Sequence, residues 1–440
     1  MDLDFDALDE QEEDARLAPA KEAGFASPES EVMKINRLWC ISDVHADAPE
    51  NMAWFGGLDD NECKKDVLIL AGDVSHDMQV LRRTFIACKS KFADVLFTPG
   101  NHELWLLNDP AYKSGNCPYK DSLEKLRHIF EICDEIGIHI RPQLYESGEE
   151  ALWIAPIHSY HHISWDTEPD LQTCWKGIEP LDKMLKDFRL TVWPDMEMGS
   201  DAVAECCDAL NGELLEGLAE EDLEAYRAAA NASPESRSDA CTRLVTFSHV
   251  VPRIELMPEK RFLQYPDLAK ASGSKPLERR INALRPDVHV FGHTHFGWDI
   301  EIEGTRYVQA PLAMPHERLG RPSVFIGEFN YGAMDSSQRS HPRPLLLRDE
   351  DAWADRYPAA FSGYYAKYPR QPEEMRNIQM FLRSRYEWTG PGEAPPIEEL
   401  DFAPAIPFIN FAPRWCKRLI KEQVLQEQGE EAFVALKMEV

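Results

Sequence analysis

The 440-residue sequence lacks several features that mark whole classes of protein. No apolar run is long enough to cross a membrane, and the start has no basic stretch followed by an apolar one. The ten cysteines form no C-x-x-C pair, and the adjacent Cys206 and Cys207 cannot easily bridge each other. We therefore expect neither a membrane protein nor a secreted, disulfide-framed one. Cysteine usage indicates the cytoplasm, with the nucleus as the alternative.

Positive charge is also scarce, since the formal net charge is −30. Such a surface repels polyanions, which argues against a general binder of long nucleic acid or of an anionic membrane. The start of the chain is the extreme case, because residues 1–31 hold eleven acidic residues against Arg16 and Lys21. We expect residues 1–34 to form a disordered acidic arm that is available to protein partners.

Polar residues recur where predicted strands end. Three apolar runs, which begin at Ile35, Asp66 and Asp94, each predict a buried strand. The residues that follow them are Asp43-Val44-His45, Gly72-Asp73 and Gly100-Asn101-His102-Glu103. In an α/β sheet, side chains at the carboxyl ends of the strands gather at one site.

Two later strands end in the same way. Residues 242–247 precede Ser248-His249, and residues 287–291 precede the run Gly292-His293-Thr294-His295. Histidines two residues apart cannot share a helix face, but at a strand end they can converge on one point. The strands therefore deliver two carboxylates, an amide and several imidazoles in chain order.

Two further segments interrupt or follow this alternation of strands and helices. Residues 159–240 form an acidic, mainly helical insertion between the third and fourth of these strands. It either caps the site or packs on the side of the sheet. We expect the domain itself to span residues 35–334, and residues 335–440 to form a C-terminal extension that ends in a helix near Trp415.

The candidate ligands suit metal ions of a particular kind. Carboxylate, imidazole and amide donors favour two borderline divalent or trivalent ions, whereas thiolates would indicate structural zinc. Two such ions would leave an electropositive site that attracts a phosphate anion despite the acidic surface.

The ordered series D-x-H, G-D, G-N-H-E, H and G-H-x-H resembles the calcineurin-like metallophosphoesterases from about Ile35 to Phe329. The resemblance implies a four-layer α/β/β/α sandwich with two metal ions, drawn from Mn, Fe and Zn. It implies one ion held by Asp43, His45, Asp73 and His295. It implies a second ion held by Asp73 as the bridge, Asn101, His249 and His293. It also implies that His102 donates the proton and that Glu103 orients it.

The function implied by this resemblance is hydrolysis of a small phosphomonoester or phosphodiester by a metal-bridging hydroxide. The purple acid phosphatase branch is disfavoured, because His76 stands where that branch has a tyrosine. The Ser/Thr protein phosphatase branch is disfavoured because the sequence after Asp73 contains no Asp-Arg-Gly. A nuclease or nucleotide phosphodiesterase of the same fold, and a catalytically silent scaffold, remain as alternatives. Arg253 and His158 are further candidates for substrate contact, with a salt bridge and a surface loop as the respective alternatives.

Overall fold

The computed structural model describes the chain in segments. These are residues 32–58, 61–170, 175–263, 265–315, 317, 344–350, 352–357, 359–366, 368–373 and 387–389. Contacts within the chain define two units, Met1–Met33 and Lys34–Val440. Almost all of the predicted acidic arm, and the helix predicted near Trp415, lie outside the described residues.

The strands build two main sheets and one small one. Their bounds are β1 (Met33–Lys34), β2 (Arg37–Ile41), β3 (Val67–Ala71), β4 (Asp94–Thr98), β5 (Gln143–Ser147), β6 (Glu150–Pro156), β7 (Trp175–Lys176), β8 (Thr242–Phe247), β9 (Val288–Phe291), β10 (Trp298–Ile302), β11 (Thr305–Gln309), β12 (Leu345–Asp349), β13 (Ala352–Trp353) and β14 (Glu387–Trp388). The seven-stranded sheet has the order β1-β5-β6-β8-β9-β11-β10, and the five-stranded sheet has the order β13-β12-β2-β3-β4. Strands β7 and β14 form the small sheet.

The helices lie mainly in the connections between strands. Their bounds are α1 (Pro49–Gly57), α2 (Met78–Lys91), α3 (Pro110–Lys113), α4 (Ser122–Ile136), α5 (Leu181–Met184), α6 (Asp187–Leu190), α7 (Asp201–Glu216), α8 (Glu220–Asn231), α9 (Pro234–Asp239), α10 (Lys275–Leu284) and α11 (Ala360–Tyr365). The start of α2 is fixed by Asp77, whose side chain accepts hydrogen bonds from two backbone N–H groups of the first turn. Among the described residues, no helix has both the length and the apolar character needed to cross a bilayer.

Parallel strands at the centre of both sheets bring the polar strand ends to one edge. In the smaller sheet β2, β3 and β4 are mutually parallel neighbours, and in the larger sheet β6, β8, β9 and β11 are. Every residue of β3 and β4 is buried, as expected for strands that are covered on both faces.

The core forms layers, and these confirm the predicted fold class. Between the sheets, Ile69 of the smaller sheet belongs to the same buried cluster as Phe247 of the larger one. The outer face of the smaller sheet packs against α2 and α4, and Leu68 and Phe85 share that cluster. On the outer face of the larger sheet, Trp153 contacts Tyr226 of α8. The order is therefore helix, sheet, sheet, helix.

One part of the predicted C-terminal extension belongs to the main fold. Strand β12 pairs antiparallel with β2, so Leu345–Asp349 extends the smaller sheet. The hydroxyl of Tyr357 donates a hydrogen bond to the carbonyl of Gln309, at the end of β11. The smaller sheet therefore includes a strand from beyond residue 334, the predicted end of the domain.

Candidate metal centre

The structure brings together all seven residues that the sequence analysis proposes as ligands. They lie just after the carboxyl ends of five strands, which are β2, β3 and β4 of the smaller sheet and β8 and β9 of the larger one. They are Asp43, His45, Asp73, Asn101, His249, His293 and His295. Because these strands are parallel, residues that are far apart in the sequence meet at one site.

The first group consists of Asp43, His45, Asp73 and His295, whose ligand atoms lie within 4.8 Å of one another. The Nε2 atoms of His45 and His295 are 2.9 Å apart. An oxygen of Asp43 lies 3.5 Å from His295 Nε2, and Oδ2 of Asp73 lies 3.9 Å from His45 Nε2. Two imidazole nitrogens and two carboxylates thus face a common point.

The second group adjoins the first through Asp73. Oδ1 of Asn101 lies 3.0 Å from His249 Nε2 and 2.8 Å from His293 Nδ1. Oδ1 of Asp73 lies 3.3 Å from the same nitrogen of His249. The Asp73 carboxylate therefore presents one oxygen to each group.

Three of the four imidazoles are oriented by a partner on their outer nitrogen. His249 Nδ1 is 2.9 Å from the Ala71 carbonyl, and His293 Nε2 is 2.7 Å from the Ala271 carbonyl. His295 Nδ1 is 2.7 Å from a Glu317 carboxylate oxygen. A proton on each outer nitrogen leaves the inner nitrogen as a lone-pair donor, which is how second partners orient metal-binding histidines.

The backbone at this site is unusual for residues that carry side chains. The φ angles are positive at Asp43 (51°), His45 (43°), Asp73 (53°), His293 (79°) and His295 (56°). L-residues rarely adopt this left-handed region, and such strain concentrates at functional sites. Close packing at the site also restricts two positions to glycine. A Cβ on Gly72 would lie 2.4 Å from His249 Nδ1 and one on Gly100 would lie 2.2 Å from Asp73 Oδ1, so both positions require glycine.

The electrostatics of these side chains fit a bound cation. Burial acts to raise the pKa of Asp73, but the imidazoles of His102 and His249 hold it well below its usual range. Burial opposes a charged His249, yet the carboxylates of Asp73 and Asp43 raise its pKa to about 10. Burial and the neighbouring His249 lower the pKa of His293 to about 4. The two carboxylates thus favour positive charge among imidazoles that cannot all be protonated, and a metal ion would supply that charge.

His102 lies beside these groups with its ring in the same cavity. Its Nε2 is 3.7 Å from Asp73 Oδ2, and its ring stacks on Trp105 with centroids 3.5 Å apart. Burial lowers the pKa of this imidazole to about 3. Its buried Nδ1 has no hydrogen-bond partner among the described residues.

Glu103 is expected to orient His102, but its carboxylate bonds to backbone groups instead. Its carboxylate accepts hydrogen bonds from four backbone N–H groups, those of Gly100, Asp73, Val74 and Ser75, at 2.6–2.9 Å. Burial and the charge of Asp73 raise its pKa to about 7. Glu103 therefore fixes the loop that carries Asp73, because a fully buried carboxylate takes the donors within reach.

The two predicted substrate contacts lie elsewhere. Arg253 pairs with Glu255 at 2.9 Å and with Glu303 at 2.7 Å, which is the salt-bridge alternative. His158 is buried, with its ring edge-on to Phe130, and burial lowers its pKa to about 4. It lines a second cavity of about 330 Å³ that contains none of the seven ligand candidates.

Asp187, from the predicted insertion, is a site residue that sequence analysis missed. Its Oδ1 accepts hydrogen bonds from Asn101 Nδ2 at 2.8 Å and from Trp105 Nε1 at 2.5 Å. Its Oδ2 lies 3.3 Å from Nε2 of His161, whose ring stacks near that of His293. Asp187 thereby turns the amide oxygen of Asn101 toward the second group. No motif surrounds it, so the sequence carries no signal for this role.

The site opens into a cavity of about 430 Å³. Ligand candidates and His102 line one side, and the insertion contributes Met184–Asp187 to the lining. Helices α7 to α9 contribute no lining residue, and α7 and α8 instead pack into buried clusters beside the sheets. Met184–Asp187 of the insertion thus border the site, whereas α7 and α8 pack beside the sheets.

Comparison with known proteins relates the first part of this domain to a known family. Residues 36–222 match the family model described as calcineurin-like phosphoesterase. The chain is 34% identical over 133 residues to the [acyl-carrier-protein] phosphodiesterase PptH of Mycobacterium tuberculosis. The aligned residues make up 29% of this chain and 38% of that protein. It is also similar to the crystal structure of phosphopantetheinyl hydrolase (PptH) from the same organism, with 21% identity, a TM-score of 0.47, and coverage of 65% of this chain and 92% of the other.

The family match begins just before β2 and includes the first three of the five strand ends. His249, His293 and His295 follow it in the chain, and the structure places them against Asp43, Asp73 and Asn101. The predicted resemblance is therefore confirmed: residues 36–222 of this chain match the calcineurin-like phosphoesterase family.

Proposed function

We propose that this chain is a metal-dependent phosphodiesterase that acts on small phosphate esters. The observation that carries the proposal is the position of Asp73 between two groups of donors. One carboxylate oxygen faces His45 in the first group, and the other faces His249 in the second. A carboxylate shared in this way is suited to two neighbouring metal ions.

In the proposed assignment, Asp43, His45, Asp73 and His295 hold one ion. Asp73, Asn101, His249 and His293 hold the other. Mixed oxygen and imidazole donors of this kind suit Mn, Fe or Zn. When bound, two such ions would polarise phosphoryl oxygens and lower the pKa of a water molecule.

The protein's own groups would then bind, orient and protonate the substrate. We assign His102 as the acid, because it lines the cavity next to Asp73 without serving as a ligand. Burial lowers the pKa of its imidazole, and the negative charge of a phosphate ester beside it would favour the protonated form. Proton donation to the leaving oxygen typically contributes about 10²–10⁴-fold. The stacked Trp105 holds the ring in place.

Two features favour a small diester over other substrates. The relative with 34% identity is named as a phosphodiesterase. The cavity of about 430 Å³ has the size of a small-molecule site, and the net charge of −30 disfavours long nucleic acid.

A silent scaffold is disfavoured, because every proposed ligand and the proposed acid are present at the site. The eight described cysteines are all free, which supports the proposed cytoplasmic location.

Metal reconstitution followed by an ester panel tests this proposal. The purified chain would be stripped with a chelator and reloaded separately with Mn²⁺, Fe²⁺ or Zn²⁺, and bound metal would be measured by elemental analysis. We expect close to two ions per chain and faster hydrolysis of bis(p-nitrophenyl) phosphate than of p-nitrophenyl phosphate. Asp73→Asn should reduce both metal content and turnover, whereas the surface variant Asp182→Asn should change neither. Less than one ion with every metal would contradict the proposal.

A further inference from the structure

The active-site cavity has a wall made largely of carbon. We call Phe262, Leu263, Tyr265, Leu268 and Phe296 the apolar wall; all five line the same cavity as the proposed ligands. Four of them are buried, and Leu268 is partly exposed. Metal chemistry does not require such a surface, so the wall indicates something about the substrate.

Polar groups on this side are used within the protein. The hydroxyl of Tyr265 donates to the carbonyl of Glu179 at 3.1 Å. The hydroxyl of the neighbouring Thr294 donates to the side chain of Gln309 at 2.9 Å. Of the described residues that line the cavity, Lys186 is the one lysine or arginine, and it lies over the ring of Trp105 on the His102 side. The wall therefore favours an uncharged ligand group with few hydrogen-bonding demands.

Contacts with other segments of the protein also hold the apolar wall in place. Lys260, two residues before Phe262, is buried and pairs with Asp166 at 2.6 Å. The ring of Phe262 packs edge-on against Tyr364 of α11, with centroids 5.7 Å apart. Tyr365 donates a hydrogen bond to Glu259 at 3.0 Å. A wall held by two other segments is pre-formed, which lowers the cost of binding a flexible group.

From these observations we infer the substrate class: a phosphodiester with one uncharged, flexible, largely aliphatic arm that lies on the apolar wall. This inference rests on the proposed function. The phosphoryl group would lie at the ligand cluster, and the cavity connects that cluster directly to the wall. Hydrolysis consumes one water: a P–O bond forms to the water oxygen, the P–O bond to the leaving group breaks, and a proton goes to the leaving oxygen.

A nucleoside arm is the main competitor, because aromatic rings in the wall offer stacking. A base, however, carries several donors and acceptors that would lose water on binding. The Tyr265 and Thr294 hydroxyls are already bonded within the protein. Each unpaired polar group would reduce the gain from stacking. An aliphatic arm has no such cost.

A series of p-nitrophenyl diesters tests the inference on the full-length, metal-loaded chain. The second ester would be methyl, butyl or octyl, with thymidine 5′-(p-nitrophenyl) phosphate as the competitor. Because the leaving group is constant, kcat/KM reports contacts of the second arm. We expect kcat/KM to increase with chain length, by up to about three- to fourfold for each methylene that becomes buried. The octyl diester should also exceed the thymidine diester.

Matched variants locate the effect. Leu268→Ser, in the partly exposed part of the wall, should reduce the octyl-to-methyl ratio of kcat/KM. Met184→Ser, at the exposed rim of the cavity, gives a second test that does not depend on core packing. Ile86→Ser is the control, since Ile86 is exposed on α2 and does not line the cavity; it should keep the wild-type ratio.

The outcomes separate the two proposals. Failure to hydrolyse any diester, with metal bound, would overturn the proposed function. Hydrolysis of the methyl diester with no increase along the series, or a preference for the thymidine diester, would overturn the substrate class alone. An increase that Leu268→Ser leaves unchanged would also overturn it, whatever the effect of Met184→Ser, because the arm would then lie outside the apolar wall.

Discussion

Replacement of Asp187 tests whether the insertion builds the metal centre or merely adjoins it. In Asp187→Ala, Asn101 Nδ2 and Trp105 Nε1 both lose the carboxylate oxygen that they share. In Asp187→Asn, the amide oxygen can still accept both hydrogen bonds. The new NH₂ group then faces His161 Nε2, which can accept if its proton moves to Nδ1. The alanine variant thus removes an orientation that the asparagine variant can keep.

The expected sizes follow from burial. Asp187 is buried, and burial acts to raise its pKa, but its interactions with the imidazole of His161 hold the pKa below its usual range. The ionised side chain is therefore stabilised at neutral pH. Each buried donor left without an acceptor costs about 1–3 kcal/mol, so the loss of the acceptor for both donors in Asp187→Ala should lower the free energy of unfolding by about 2–6 kcal/mol. Loss of such an outer partner typically lowers metal affinity or activity about 10–100-fold.

Metal titration and denaturant unfolding measure the two effects separately. We expect Asp187→Ala to bind the second ion at least tenfold more weakly, and Asp187→Asn to stay within a fewfold of wild type. Asp182→Ala on the exposed face of α5 is the matched control and should behave as wild type. Unchanged metal affinity in Asp187→Ala would refute the positioning role. Equal damage in both variants would show that charge, and not hydrogen bonding to Asn101, is what matters.

Three further substitutions probe other parts of the site. His102→Ala should reduce kcat strongly for alkyl leaving groups but little for p-nitrophenolate, with metal content unchanged; equal losses for both would contradict the acid role. Glu103→Gln should instead reduce metal affinity, because it removes one carboxylate oxygen that accepts hydrogen bonds from backbone N–H groups. Turnover should fall equally for substrates with good and with poor leaving groups. A loss confined to poor leaving groups would support a role of Glu103 in orienting His102. Lys186→Met should raise KM for p-nitrophenyl phosphate at low salt, whereas Lys183→Met, which does not line the cavity, should leave it unchanged; identical KM values in the two variants would exclude Lys186 from substrate binding.

The sequence was sufficient for the fold class and for the position of the residues at the strand ends. Continuous apolar runs such as residues 67–71 predict strands covered on both faces, and polar residues directly after them predict one shared site. The five strand ends could be found because their residues are next to the strands in the sequence. The same local logic does not extend to Arg253, because six residues after the end of β8 leave the chain free to turn, and Arg253 pairs with Glu255 and Glu303.

Long-range packing determines the features that the sequence could not show. Asp187 lies 86 residues from Asn101, in a segment with no motif, and only the folded chain brings them together. The family resemblance implied that Glu103 orients His102. The fold turns its carboxylate instead toward the N–H groups of residues 73–75. The resemblance predicted the location of Glu103 but not the direction of its side chain.

The left-handed backbone at the site links these observations to metal binding. Five proposed ligands have positive φ, and each such residue costs about 1–2 kcal/mol relative to the ordinary helical region. Local sequence preference would not choose these conformations. They persist because the hydrogen bonds around them, such as Asp43 Oδ1 accepting from His293 N at 2.8 Å, over-determine the geometry. These hydrogen bonds therefore help to hold the donor atoms in place. Donor atoms that the protein itself orients lower the ordering cost of binding, so more of the binding free energy can go into affinity and into charge stabilisation at a phosphoryl group.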